Sequence, residues 1–253
     1  NNAINSDNRG LPFGSAIDIH FAPSLAGDSI VLTSGPIDVQ AQVHIKGLGA
    51  DQLTISGGGT TRIFTVPDDA GIFRIDSIRI ANGISFNPAS LVFEDGGAIY
   101  NDGATIILSD CVVERNGVRA SSGFARGGFL YNRNRFEAYR TEFRNNFIDA
   151  GQAFGGVIYN AGGDVTLEDC RFHHNRVDAL ENGIGSVVYN RVWSDMWIRR
   201  STLDSNTSVS VGGVIDAGAI FSEADLELDR VTLSGNRIIG GASSSFGAAV
   251  RQE

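Results

Sequence analysis

Residues 155–175 read G-G-V-I-Y-N-A-G-G-D-V-T-L-E-D-C-R-F-H-H-N, and the same pattern returns on both sides of them. Gly96-Gly97-Ala98-Ile99-Tyr100-Asn101 leads to Asn116, and Gly127-Gly128-Phe129-Leu130-Tyr131-Asn132 leads to Asn146. Gly185-Ser186-Val187-Val188-Tyr189-Asn190 leads to Asn206, Gly212-Gly213-Val214-Ile215 leads to Asn236, and Gly247-Ala248-Ala249-Val250 opens one more unit. The closing asparagines lie 30, 29, 31 and 30 residues apart. A fixed period filled with short apolar alternations is the mark of a solenoid, in which each unit buries its apolar face only against its neighbours.

Within a repeat, the second position of the glycine strand is small (Gly97, Gly128, Gly156, Ser186, Gly213) and the fourth is aliphatic (Ile99, Leu130, Ile158, Val188, Ile215). A second strand follows with two inward residues spaced by two, as in Val165 and Leu167, then a bend and two more, as in Cys170 and Phe172. Three short faces per turn of chain make a parallel β-helix in which like residues stack coil on coil. The expected fold is all-β, a right-handed parallel β-helix of about nine coils forming one domain over residues 1–253. Residues 1–95 would form irregular N-terminal coils and 96–253 regular repeats. In the first part, strands are read at Ile17-Ile19-Phe21, Val43-Ile45, Phe73-Ile75 and Ile78-Ile80, with a helix conceivable only at residues 1–5. The chain begins without methionine and stops inside a repeat. It therefore reads as part of a longer polypeptide, with further chain or a partner expected to cover the last coil.

The recurring asparagines, Asn116, Asn146, Asn175, Asn206 and Asn236, are polar residues at inward turns. A stacked amide can donate to one neighbour and accept from the other, so a structural ladder is expected there. The segments after them (119–126, 149–154, 207–211 and 240–246) are rich in small residues and read as variable loops. Cys111 and Cys170 occupy one repeat position two coils apart, about 9.6 Å at ordinary strand spacing, beyond the reach of a disulfide. Two free, buried thiols are expected.

Gly-Gly-Ala-Ile at 96–99, with its variants at 127, 155 and 212, resembles the G-G-A-I motif of the polymorphic outer-membrane proteins. Phe143-x-x-Asn146 and Phe172-x-x-Asn175 resemble the companion F-x-x-N motif, with Val113, Leu203 or Leu233 in place of the Phe in other repeats. This resemblance covers 96–253 and implies a β-helix passenger on a bacterial surface, often adhesive. The N-terminal third, through Ile19-x-Phe21-x-Pro23-x-Leu25 and Val43-x-Ile45-x-Gly47-x-Gly49-Ala50-Asp51, is similar to large secreted bacterial proteins that carry a C-S-L-R-E-A motif. That motif itself is missing and would fall before Asn1. An extracellular or bacterial cell-surface location is what these likenesses imply.

A net charge of −9 speaks against a nucleic-acid partner, which needs a basic footprint. No apolar run approaches the length of a membrane-spanning helix. Lys46 is the sole lysine among 20 basic residues, which leaves lysine chemistry a single candidate. The fifth position of the glycine strand stacks Tyr100, Tyr131, Tyr159 and Tyr189, expected to point outward and to end at Asp216. Such a strip is either a stabilising stack or, with Trp193 and an outward Trp197, a surface for sugar rings. Asp164, Asp195 and Asp225 form another column, which could collect Ca²⁺ or serve acid–base chemistry. The Asp110–Arg140–Asp169–Arg200 and Glu168–Arg199–Asp229 columns alternate in sign and read as self-neutralising surface. His173 and His174, as neighbours on a strand, are expected to point apart. No G-x-S-x-G, phosphate-loop or zinc-ligand spacing is present.

Three functions follow. The first is a non-enzymatic secreted or surface module, an adhesin segment or stalk, binding a polysaccharide or a cell-surface protein and joined to further domains. The alternative is a polysaccharide lyase or glycoside hydrolase on the same scaffold. The third is a ligand-free spacer between other domains. No cofactor is required by any of them, Ca²⁺ being the one candidate.

Overall fold

The computed structural model describes residues 16–86, 93–240, 244–247 and 249–253. The helix conceivable at residues 1–5 and the polar stretch through Gly14 lie outside the described residues. The rest is all-β, 55% strand and 3% short helix, wound as a parallel β-solenoid of about seven turns rather than nine. Three sheets carry eight strands each, and every pairing is between a strand and its equivalent in the next coil. The first sheet runs from Ile17–His20 through Val43–Lys46, Ile72–Asp76, Thr105–Ser109, Phe136–Tyr139, Val165–Glu168 and Met196–Arg199 to Leu226–Asp229. The N-terminal strands thus join the same sheets as the regular repeats, and the described strands from Ile17 onward form one continuous stack.

The core is built of columns. Val43, Phe73, Ile106, Phe136, Val165 and Met196 stand in register on the first sheet, each at most 1% exposed. Ile99, Leu130, Ile158, Val188 and Ile220 do the same on another, all at 0%. Phe143 and Phe172 stack face to face at 4.4 Å with ring planes 1° apart. Burying such side chains contributes about 1.5–3 kcal/mol each, so the in-register repeat stabilises the fold column by column. Cys111 and Cys170 are both free and buried in this core. Desolvation pushes each thiol up to about 12, which keeps them protonated and unreactive at neutral pH.

Two corners per coil are made by single residues in the left-handed conformation. One column comprises Ser77, Asp110, Arg140, Asp169, Arg200 and Arg230; the other comprises Asn82, Arg115, Asn145, His174, Ser205 and Gly235. Each bends the strand sharply and interrupts the alternation of side chains. Within the first column the charges pair as the sequence suggests: Arg140 donates twice to Asp110 at 2.8 Å, and Arg200 twice to Asp169 at 2.9 Å.

Three of the small-residue segments, 119–126, 149–154 and 207–211 (to Ser210), are strand rather than loop; residues 241–243 of the fourth lie outside the described residues. Gly117–Arg126 and Phe147–Phe154 are long strands, paired along their length apart from a shift between Ala120 and Phe124. Later coils split the same excursion into Arg176–Ala179 with Gly183–Ile184, and Thr207–Ser210 with Val214–Asp216. From Ile84 onward the coils send an arm out and bring it back, and the arms stack into a fourth sheet. A separate small core of Val118, Ala120, Ala125, Ile148, Ala150, Ala153, Val177 and Ala179 lies within this flange. Alanine is frequent there because two arms of backbone lie close together, a demand that the sequence alone presents as looseness.

The flange also corrects the repeat register. Gly212-Gly213-Val214-Ile215 belongs to the excursion, with Ile215 opposite Gly183. The true counterpart of Val188-Tyr189-Asn190 is Ile220-Phe221-Ser222. The opening glycines of this motif have φ of 56° at Gly96, 67° at Gly127, 65° at Gly155 and 65° at Gly185, and Ala217 takes the equivalent place at 51°. A methyl group at Gly155 would stand 2.1 Å from the Ile158 carbonyl oxygen. Gly155→Ala is therefore expected to cost about 1–3 kcal/mol, read as a lowered urea midpoint, from backbone strain plus that clash.

Candidate functional site

Two asparagine ladders hold the coils together. In the first, Asn116, Asn146, Asn175 and Asn206 each donate from Nδ2 to the Oδ1 of the next, ending on Asn236, at 3.1, 3.0, 2.9 and 2.9 Å. Each also donates back to a carbonyl of the preceding coil, Asn175 for example to Phe143 at 3.0 Å. The second ladder, which the sequence reading passed over, is the sixth motif position. Asn101, Asn132, Asn160 and Asn190 donate in turn at 2.7, 2.8, 2.8 and 3.0 Å, the last to Ser222 Oγ. Its signal was present in every Tyr-Asn pair of the motif.

The tyrosine column does not face solvent. Tyr131, Tyr159 and Tyr189 are 4%, 6% and 9% exposed and pack with Ala217, Phe221, Phe154 and Ile184 in an outer core. Successive rings from Tyr100 to Tyr189 lie 5.2, 5.6 and 5.1 Å apart and nearly parallel. Phe221, not Asp216, continues the stack at 4.9 Å. The returning arms of the flange cover it, and the Arg126 guanidinium lies over both Tyr131 and Tyr159 at 4.7 and 5.2 Å. Burial raises the Tyr159 hydroxyl above the ordinary phenol range, against the opposing charge of Arg126. Asp216 is itself largely buried and ion-paired to Arg251. The strip is thus a structural stack; as a sugar platform it is sealed.

The tryptophans are placed differently. Trp193 is 94% exposed, at φ 68°, in the turn between Val188–Asn190 and Met196–Arg199. That turn holds five residues (191–195) against four (161–164) in the preceding coil, and the added residue carries the indole outward. Glu223 fixes it from the next coil: it accepts from the Tyr189 hydroxyl at 2.5 Å and from the Val192 amide at 3.3 Å. Asn190 Nδ2 donates to the Ser194 carbonyl at 2.6 Å. Trp197 stands half-buried on the outer face of the first sheet between Thr166 and Glu227.

Asp164, Asp195 and Asp225 stack in one column, their carbonyls accepting from Phe136, Val165 and Met196 at 2.9 Å each, with the residues exposed. Asp195 and Asp225 line two adjoining shallow depressions, one closed by Trp197 and Glu227, the other by Trp193 and Glu223. Asp164 lines neither. Among the described residues no group of three or more His, Cys, Asp or Glu is arranged to hold a metal ion, so the aspartate column does not form the Ca²⁺ cage that its spacing suggested. Of the sequence candidates, the structure brings together Trp193, Asp195, Trp197 and Asp225, adds Glu223 and Glu227, and separates them from the tyrosines.

Compared with protein-family models, with curated proteins and with solved structures, the chain matches none. Among the described residues no helix is long and apolar enough to cross a membrane.

Proposed function

We propose that this chain is a non-enzymatic secreted or cell-surface β-helix module, an adhesin-like segment or stalk, that binds a neutral glycan along the edge bearing Trp193 and Trp197. The observation that carries this reading is Trp193: an indole left 94% exposed on a turn tied down by hydrogen bonds to Glu223 and Asn190. An exposed large apolar side chain on a rigid mount is a contact surface in waiting, since its face stacks on the C–H face of a sugar ring without an ordering cost. The carboxylates of Asp195, Asp225 and Glu227 beside the indoles are placed to accept hydrogen bonds donated by sugar hydroxyl groups. Their common negative sign disfavours uronic or sulfated chains. The repeat motifs that resemble surface passengers support the same compartment.

Trp193→Ala is expected to abolish the quenching or blue shift of tryptophan fluorescence on titration with neutral oligosaccharides while leaving the thermal midpoint unchanged. Retained binding in that variant would sink the reading. The alternative, a polysaccharide lyase or hydrolase, draws support from Asp195 and Asp225 lining the same depression as Trp197 on adjacent coils. Release of new reducing ends that disappears in Asp195→Asn or Asp225→Asn would establish it instead.

A further inference from the structure

The corner after the strand Arg171–His173 carries two adjacent histidines, and the structure overturns their expected divergence. His174 is the left-handed corner residue, at φ 56°, directly before the buried ladder residue Asn175. Side chains alternate only along extended backbone, and a left-handed residue breaks the alternation. Both rings therefore turn to one side, at 77° to each other, with His173 Nδ1 2.8 Å from His174 Nδ1.

The other nitrogen of His173 settles its tautomer. Nε2 lies 2.6 Å from Glu142 Oε1, one coil below. An ionised carboxylate can only accept, so Nε2 carries the hydrogen and Nδ1 of the neutral His173 ring accepts the hydrogen bond that His174 Nδ1–H donates; a bound metal ion would displace that shared proton. A carboxylate behind a histidine in this way orients the ring and fixes its tautomer, the outer arrangement found around metal-bound imidazoles. The neighbouring cations are already engaged: Arg144 with Glu114 and Glu142 at 2.7 and 3.3 Å, and Arg171 with Asp204 at 3.0 Å. The side chain of His173 is 12% exposed, whereas His174 is exposed at the surface, so the gap between the two Nδ1 atoms can be reached from solvent.

We propose that His173 and His174 chelate a copper(II) ion through their two Nδ1 atoms, with Glu142 as the carboxylate behind His173 and water in the remaining positions. The ion would take the place of the proton that the two nitrogens share, with both rings turning their lone pairs onto it. At metal–nitrogen distances of about 2.0–2.1 Å, donors kept 2.8 Å apart would subtend an angle of about 85–90°, the cis angle of a tetragonal Cu²⁺ site. A tetrahedral Zn²⁺ would require the nitrogens about 3.3 Å apart. Two protein ligands suffice, because a tetragonal ion keeps water in its other positions.

The test is a titration of the full chain with one equivalent of Cu²⁺ in a non-coordinating buffer at pH 7.5, followed by calorimetry and electron paramagnetic resonance. The expected result is one saturable site with hyperfine structure from two nitrogens. His174→Ala, a change at an exposed residue, should weaken binding at least tenfold and leave one nitrogen; Glu142→Gln should weaken it about tenfold with both nitrogens retained. His44→Ala, at the separate His44–Asp76 pair, should change nothing. Metal-free thermal midpoints check that each variant folds. Undiminished copper binding in His174→Ala, or loss of the site in His44→Ala, would overturn the proposal.

Discussion

Replacing Asn175 with alanine is expected to lower stability by about 3–5 kcal/mol, several hydrogen-bonded groups being orphaned at once. The Asn175 side chain, at 0% exposure, donates to the Phe143 carbonyl at 3.0 Å and to Asn206 Oδ1 at 2.9 Å. Its own Oδ1 receives both the amide N–H and the Nδ2 of Asn146, at 2.9 and 3.0 Å. Alanine removes all four bonds and leaves each partner buried, out of reach of water. Each such group costs about 1–3 kcal/mol when unpaired, and the shared corner makes the sum less than additive. Asn236→Ala is the internal comparison. It takes the same two bonds from Asn206, at 3.1 and 2.9 Å, but is itself only half-buried, so solvent can replace them. A loss of about 1 kcal/mol is expected there, on the scale of a single net hydrogen bond. Urea unfolding followed by far-ultraviolet circular dichroism measures both; equal effects at the two positions would contradict the ladder as the source.

Tyr159→Ala is expected to cost about 3–5 kcal/mol, the usual range for emptying an aromatic site in a packed core. The ring is 6% exposed, stacked at 5.6 Å on Tyr131 and at 5.1 Å on Tyr189, and capped by Arg126 at 5.2 Å. Loss of the two stacking partners accounts for about 0.5–1.5 kcal/mol each within that total, and the desolvated cation contact adds to it. Tyr159→Phe keeps the stack and should stay within about 1 kcal/mol of the parent, since it alters only the hydroxyl. Glycan titration of the folded Tyr159→Phe variant should match that of the parent protein. A stability loss under about 1 kcal/mol for Tyr159→Ala would mean that the flange does not seal the column.

These two cases show how far residues and their spacing reach. The period of Asn116 to Asn236 is set by a side chain that must find its own kind one coil away, and such a rule is written directly in the one-dimensional chain. The same holds for the column of Ile99 to Val188 and for the two buried thiols, because in a parallel solenoid the neighbour in space is the equivalent residue in the next repeat. The fold class and the inward face were legible for this reason. The register failed at Gly212-Gly213 because pairs of glycine serve both the motif and the flange, and only strand pairing distinguishes them.

The outward face was legible only as a set of columns, without its cover. Period-2 alternation states that Tyr159 points away from the cylinder; it does not state whether water or another layer meets it. That was decided when residues 147–154 and their counterparts folded back as a fourth sheet over the tyrosines, a contact between segments whose small side chains resemble those of a loop. Similarly, the sequence placed His173 and His174 side by side, and one left-handed corner residue turned their rings together. Trp193 is exposed because its turn holds one residue more than the turn before it. The sequence by itself determined the coil, its inward columns and its amide ladder, since these depend on identity at a fixed period. The tertiary structure alone decided which outward residues are covered and which meet solvent, since that depends on the path of the chain between repeats.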